Sequence, residues 1–176
     1  MIPKEFDTIG KEDIEALVAN AVSEGRTIEY KEKLPGGTDD DRREFLADAS
    51  SFANAGGGDL IYGIREKRDP SGKPTGLPGT AEGLAGANAD AEKRRLEEML
   101  RSGIDPRIPA IRQKHIDGFP AGPVIVLRIP KSWASPPWLP SRICRASSRA
   151  RARGNNSWTC GKFGPRLQLR RLSASE

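Results

Sequence analysis

SFANAGGGDLIYGI, residues 51–64, is the stretch on which the fold turns. Its opening residues continue an apolar helical face, because Phe45, Leu46, Ala49, Phe52 and Ala53 recur three and four residues apart, the spacing that lines one side of a helix. Thr38 to Asp41 offers capping side chains, so a helix is predicted from there to about Asn54. Gly56, Gly57 and Gly58 then stop it, and the apolar run Asp59 to Ile64 has the length of a strand. The direction of this junction matters. In a phosphate loop, glycines lead from a strand into a helix N-terminus, whose unpaired N–H groups attract anions. Here they follow a helix and meet its negative end. Two readings of the glycines, and of Asn54 beside them, therefore stand: a left-handed C-cap with a tight turn into the strand, or a backbone that closely approaches a nucleic-acid phosphate or nucleotide.

Working outward, Lys11 to Ser23 places Ile14, Leu17, Val18, Ala21 and Val22 on one helical face, with acids at its start and Gly25 as its stop. RTIEYKEK, residues 26–33, alternates as a strand does, putting Ile28 and Tyr30 on one side and Thr27, Glu29 and Lys31 on the other. REKRDPSGKPTG, residues 65–76, reads as a turn or hairpin loop whose length suggests mobility. Asp90 is in place to cap a third helix to about Ser102, burying Leu96, Met99 and Leu100. Ile111 to Ile116 and Val124 to Ile129 flank the turn DGFPAG as an antiparallel hairpin. This order predicts an α+β fold, a small mixed sheet packed with two to three helices, and disfavours a doubly wound nucleotide fold.

Composition narrows the chemistry. No Gly-Lys-Ser/Thr motif supports ATP hydrolysis, and the lone His115 sits in a predicted strand without a nucleophile to serve. Cys144 and Cys160 fit neither a zinc site nor a disulfide framework. The apolar runs are strand-sized and no signal peptide is evident, so a soluble, cytoplasmic protein with no membrane partner is expected. The net charge of +5 is unevenly spread. Nine of the 29 basic residues and one of the 24 acidic ones lie from Trp138 onward, which leaves the remainder with 20 against 23 and a net charge of −3.

Three segments in order, EYK at 29–31, FANAGGG at 52–58 and PTGLPG at 74–79, resemble the Schlafen AlbA-type domain. This is a family of bacteria and animals associated with nucleic-acid binding and sometimes catalogued as a divergent AAA ATPase domain. The resemblance runs from about Lys11 to Trp133. It sets an N-terminal arm at residues 1–10, the domain at 11–133 and a basic tail at 134–176. Two readings of the tail stand: a native disordered arm attracted to anions, or an out-of-frame translation beginning near Pro136 to Trp138. The second gains from a single change of frame, which restores a strand-like segment and an amphipathic helix resembling the family's end.

The resemblance implies a module that contacts the phosphate backbone of DNA or RNA and needs no cofactor to do so. The candidate contacts are Lys31, Asn54, Gly56, Gly57, Gly58, Arg112, Arg128 and Lys131. The residues themselves leave a plainer reading open, in which Arg112, Arg128 and Lys131 are exposed strand charges, Glu24 ends a helix and Glu29 pairs with Lys31 or Lys33 on a solvated strand face. It also implies an alternative. Glu24, Glu29 and Lys31 match an E-x4-E-x-K pattern that belongs in some Schlafen proteins to an endoribonuclease dependent on Mg2+ or Mn2+. The family's third acid falls where this chain has Arg65, and Glu66 is the nearest substitute, so Glu24, Glu29 and Glu66 form the candidate metal set. A one-residue shift in a strand turns a side chain to the opposite face, which weighs against Glu66. ATP is a disfavoured ligand, and an inactive truncated product is the remaining alternative.

Overall fold

The computed structural model of the protein describes residues 1–133, so the reading of the tail lies outside the described residues. The fold is α+β, as expected. Helix α1 (Lys11–Ala19) leads to strand β1 (Ile28–Lys31), helix α2 (Asp39–Ala55) and strand β2 (Gly57–Tyr62). Strands β3 (Ile64–Arg68) and β4 (Pro74–Ala81) precede helix α3 (Ala89–Gly103) and the hairpin β5 (Arg112–Ile116) with β6 (Val124–Pro130). One sheet has the order β1-β2-β6-β5, with β1 parallel to β2 through the α2 crossover and the other pairings antiparallel. A second sheet is the β3-β4 ribbon.

The alternation of β1 is the pattern read from its sequence: Ile28 and Tyr30 are buried, and Glu29 and Lys31 are partly exposed. Helix α2 likewise buries Phe45, Leu46, Ala49, Phe52 and Ala53. Its start is secured by Thr38, whose hydroxyl accepts from the Asp41 N–H at 3.1 Å while the Asp41 carboxylate reaches back to Thr38. The central sheet thus has two covered faces. Leu60, Tyr62, Ile125, Leu127 and Ile129 meet α2 and α3, whereas Ile28, Tyr30, Ile61, Val124 and Val126 meet α1 and the N-terminal segment.

Several boundaries differ from expectation. Helix α1 ends at Ala19 rather than Ser23. Ala21 takes a left-handed φ of 46°, and Ala21 and Val22 are exposed instead of buried. The chain turns there because long-range partners hold it, with the Tyr30 hydroxyl donating to the Val22 carbonyl at 2.8 Å and the Glu24 N–H donating to Gly76 O at 2.7 Å. Asn88, not Asp90, caps α3, accepting from the Ala91 N–H at 3.1 Å. Residues 65–76 are largely strand. Their turn is closed by the Asp69 carboxylate, which accepts from the N–H groups of Ser71 and Lys73 at 2.9 and 2.8 Å. Strand β2 begins two residues early, taking in Gly57 and Gly58. It ends at Tyr62 because Gly63, at φ 98°, bends the chain into the second sheet.

The first ten residues pack against the sheet, with Ile2, Phe6 and Ile9 buried. What draws them in is a buried ion pair. Asp59, fully buried in β2, accepts from Arg128 of β6 at 2.8 and 2.9 Å and from the Ile2 N–H at 2.6 Å. The same guanidinium donates to the carbonyls of Ile2 and Lys4, each at 2.9 Å, and lies over the Phe6 ring.

Candidate functional site

Glu24, Glu29, Lys31 and Glu66 line one cleft of about 250 Å³, together with Tyr30 and Arg68. Glu66 reaches it although Arg65 holds the position before. The β3-β4 register shifts on both sides of Glu66, and such bulges re-aim side chains. Arg65 points elsewhere, towards Glu82 at 3.2 Å and Glu32 at 3.4 Å. The concern that Glu66 would lie on the wrong face is therefore removed by the irregular ribbon.

The acids in the cleft are already engaged. Glu24 accepts from the Tyr30 N–H at 2.8 Å, Glu66 accepts from the Gly76 N–H, and Glu29 lies 2.8 Å from Lys31 Nζ. Burial, opposed by the Tyr30 N–H and aided by Glu66 and Glu29, raises the Glu24 carboxyl above its ordinary range. Burial, followed by the charge of Glu24, pushes Tyr30 up to about 12. Among the described residues no group of three or more His, Cys, Asp or Glu side chains is arranged to hold a metal ion. The donor set, each member committed to a backbone N–H or to Lys31, does not fit Mg2+ or Mn2+ as it stands.

Lys31 is caged. Its ammonium lies 2.8 Å from Glu29, 2.9 Å from Glu44 and 3.2 Å from Asp48, the last two projecting from α2 onto the sheet face that Lys31 shares. Burial works against its charge, but the three carboxylates outweigh burial and hold the ammonium protonated well above the usual lysine range. Asp48 is the member under most stress. Burial first, and then the charge of Glu29, pushes its carboxyl up to about 6, against the opposing attraction of Lys31. A cation surrounded by three acids is poorly placed to receive a phosphate.

The glycines divide. Gly57 and Gly58 are buried and pair with Pro130 and Ile129 of β6. At Gly57 the φ is 83°, and an added Cβ would stand 2.8 Å from Ile129 O; at Gly58 it would stand 2.3 Å from the Phe52 ring. Left-handed geometry thus falls on Gly57 rather than on the C-cap itself, Gly56, whose φ is −151°. Only Gly56 and Asn54 reach the surface. Arg128 has its guanidinium consumed by Asp59 and the N-terminal carbonyls, which removes it as an open phosphate contact. Arg112 is tied to Asp7 and lies 5.0 Å over Phe6. Lys114 is held by the carbonyls of Asp7 and Ile9, each at 2.6 Å. Lys131 carries no ion pair among the described residues; its Nζ lies 4.3 Å over the ring of Trp133.

A second cleft, of about 600 Å³, lies between α3 and β5 and was not anticipated. Lys93, Arg94, Arg101 and Arg107 border it against Asp90 and Glu97, above a floor that includes Leu100, Ile104, Ile108 and Ile111. Lys93 and Arg101 are paired with Asp90 and Glu98. Among the described residues, Arg107 makes no side-chain hydrogen bond or salt bridge, and Arg94 makes no salt bridge. In sequence, the helical residues of this group looked like an ordinary solvated face; their convergence with Arg107 depends on how α3 sits on the hairpin.

The family model described as Schlafen, AlbA_2 matches residues 24–156. The match begins after α1 and extends beyond the described residues. No curated protein matches the sequence. Among solved structures, the N-terminal domain of a RecG-related protein from Nitrosomonas europaea is similar, with a TM-score of 0.52 at 18% identity over 92% of this chain and 97% of that one. At that identity the likeness is one of fold. Among the described residues, no helix is long and apolar enough to cross a membrane.

Proposed function

This chain belongs to the Schlafen AlbA_2 family, and we propose that it binds nucleic acid through the sugar–phosphate backbone. The observation that carries the reading is the α3-β5 cleft. Four cations border it, and among the described residues Arg94 and Arg107 have no salt bridge. This local excess of positive charge stands in a body whose net charge is −3, and anionic polymers are drawn to such a patch. The structural relative is named for its relation to an ATP-dependent DNA helicase, a name consistent with nucleic acid as partner. The buried Gly57 and Gly58 offer no phosphate cradle, which argues against a nucleotide as the ligand.

The test is fluorescence anisotropy of labelled DNA and RNA over a salt series, comparing the full chain with Arg94→Glu/Arg107→Glu. Because the tail carries +8 of its own, the readout is the change that the two substitutions cause. Each lost phosphate contact is expected to weaken binding at all sequences and to lower the salt slope by about 1. No binding at low salt, or an unchanged slope, refutes the reading.

One observation favours RNA cleavage as a second reading: the ribbon irregularity that brings Glu66 beside Glu24 and Glu29. The engaged donor set stands against it.

A further inference from the structure

Large apolar side chains are almost all covered in this domain. Among the described residues only Met1, Val22 and Trp133 are exposed, at 38%, 37% and 86%. Trp133 is thus the outlier, and its placement is controlled. The strand before it ends at Pro130, and the Ser132 N–H donates to Ala53 O at 2.8 Å, fastening the backbone to the last turn of α2. The Lys131 ammonium lies 4.3 Å from the indole centroid, a cation–π distance that orders the ring and leaves its remaining surface to solvent.

Strand register places this tryptophan among the groups already singled out. Gly57 pairs with Pro130 and Arg112 with Arg128, so Trp133 follows the end of the sheet at which β5 begins and Gly56 emerges. Ala110 and Ile111, which line the α3-β5 cleft, immediately precede β5.

From the exposed indole, the lysine against it and the backbone bond that holds both, we infer that Trp133 and Lys131 form a stacking platform for an unpaired base, so that the preferred partner is single-stranded nucleic acid. This rests on the nucleic-acid reading above and adds to it. A base has an aromatic face for the indole, while its phosphate lies within the field of the ammonium; an aliphatic ligand satisfies only the first. In duplex DNA or RNA the base faces are occupied by their neighbours, so the platform selects against a paired helix.

The experiment uses the full chain and three fluorescein-labelled probes: a 20-nucleotide thymidine strand, a 20-nucleotide uridine strand and a 20-base-pair duplex. Trp133→Ala is expected to weaken binding to the single strands by about five- to a hundredfold, the span that base–aromatic stacking covers, and to leave duplex binding unchanged. Trp133→Phe is expected to recover part of the loss. In a Trp138→Phe/Trp158→Phe background, where Trp133 is the remaining tryptophan, the single strands should quench its fluorescence. If Trp133→Ala leaves single-strand affinity unchanged while Arg94→Glu/Arg107→Glu lowers it, the platform is refuted and the phosphate reading survives. If the unmodified chain binds none of the probes at low salt, both fall.

Discussion

Replacing Arg128 with methionine tests the reading of the Asp59–Arg128 pair as the clasp of the N-terminal segment. Methionine keeps most of the apolar stem and removes every donor. Asp59 is fully buried and the Arg128 side chain is 14% exposed, so the carboxylate has no route to water when its partner goes. It would retain only the Ile2 N–H, the carbonyl of Lys4 would lose the guanidinium, and that of Ile2 would keep only the Lys4 N–H. Breaking a buried pair from one side costs about 3–5 kcal/mol, a large share of the roughly 5–15 kcal/mol that stabilises a typical domain. The loss extends to Ile2 and Phe6, whose burial depends on the segment staying in place.

Urea denaturation followed by circular dichroism measures the cost. Asp59→Asn/Arg128→Met, which removes the stranded charge, should recover part of it, and the mutant cycle should show strong coupling. A single-variant cost below about 1 kcal/mol, or additivity within about 0.5 kcal/mol, would refute the clasp. Under conditions where the variant is folded, its nucleic-acid affinity should match that of the unaltered chain, because the guanidinium is already committed inside the protein.

Gly58→Ala is expected to lower stability by about 1–3 kcal/mol through the clash with Phe52, measured as a lower melting temperature; an unchanged melt would mean that α2 can withdraw without cost. Asn88→Ala should cost about 1 kcal/mol as a lost helix cap, while Asp90→Ala should cost less, and the reverse order in urea melts would return the cap to Asp90. For Asp48 the pKa is raised from 3.8 to about 6, so its favourable contribution is complete below the unfolded value and is lost as pH rises through about 6. At about 1.4 kcal/mol per unit, Asp48→Asn should gain on the unaltered chain by about 2–3 kcal/mol between pH 4 and pH 7.5, the attraction to Lys31 being already contained in the shift; a constant difference in denaturation midpoints contradicts this. With Mg2+ or Mn2+ present, RNA should remain intact, and cleavage abolished by Glu29→Ala would show that the cleft reorganises to accept a metal.

What the amino-acid order determined by itself lies within a turn or two of chain. The spacing of Phe45, Leu46, Ala49 and Phe52, the alternation of Ile28 and Tyr30 and the turn between β5 and β6 each express a period that neighbouring residues set through backbone geometry. The α+β class follows from their order. Tertiary structure decided which charges are available, because a side chain's electrostatic environment is made by groups far away in sequence. Lys31 looked open on its strand until Glu44 and Asp48 of α2 arrived beside it. Arg128 looked exposed until Asp59 and the first residues closed over it. Glu66 came to Glu24 through an irregular ribbon that strict alternation does not predict, and Arg94 met Arg107 only when α3 docked on the hairpin. Local periodicity builds the elements, but phosphate-binding capacity depends on which cations are left without a carboxylate once those elements pack.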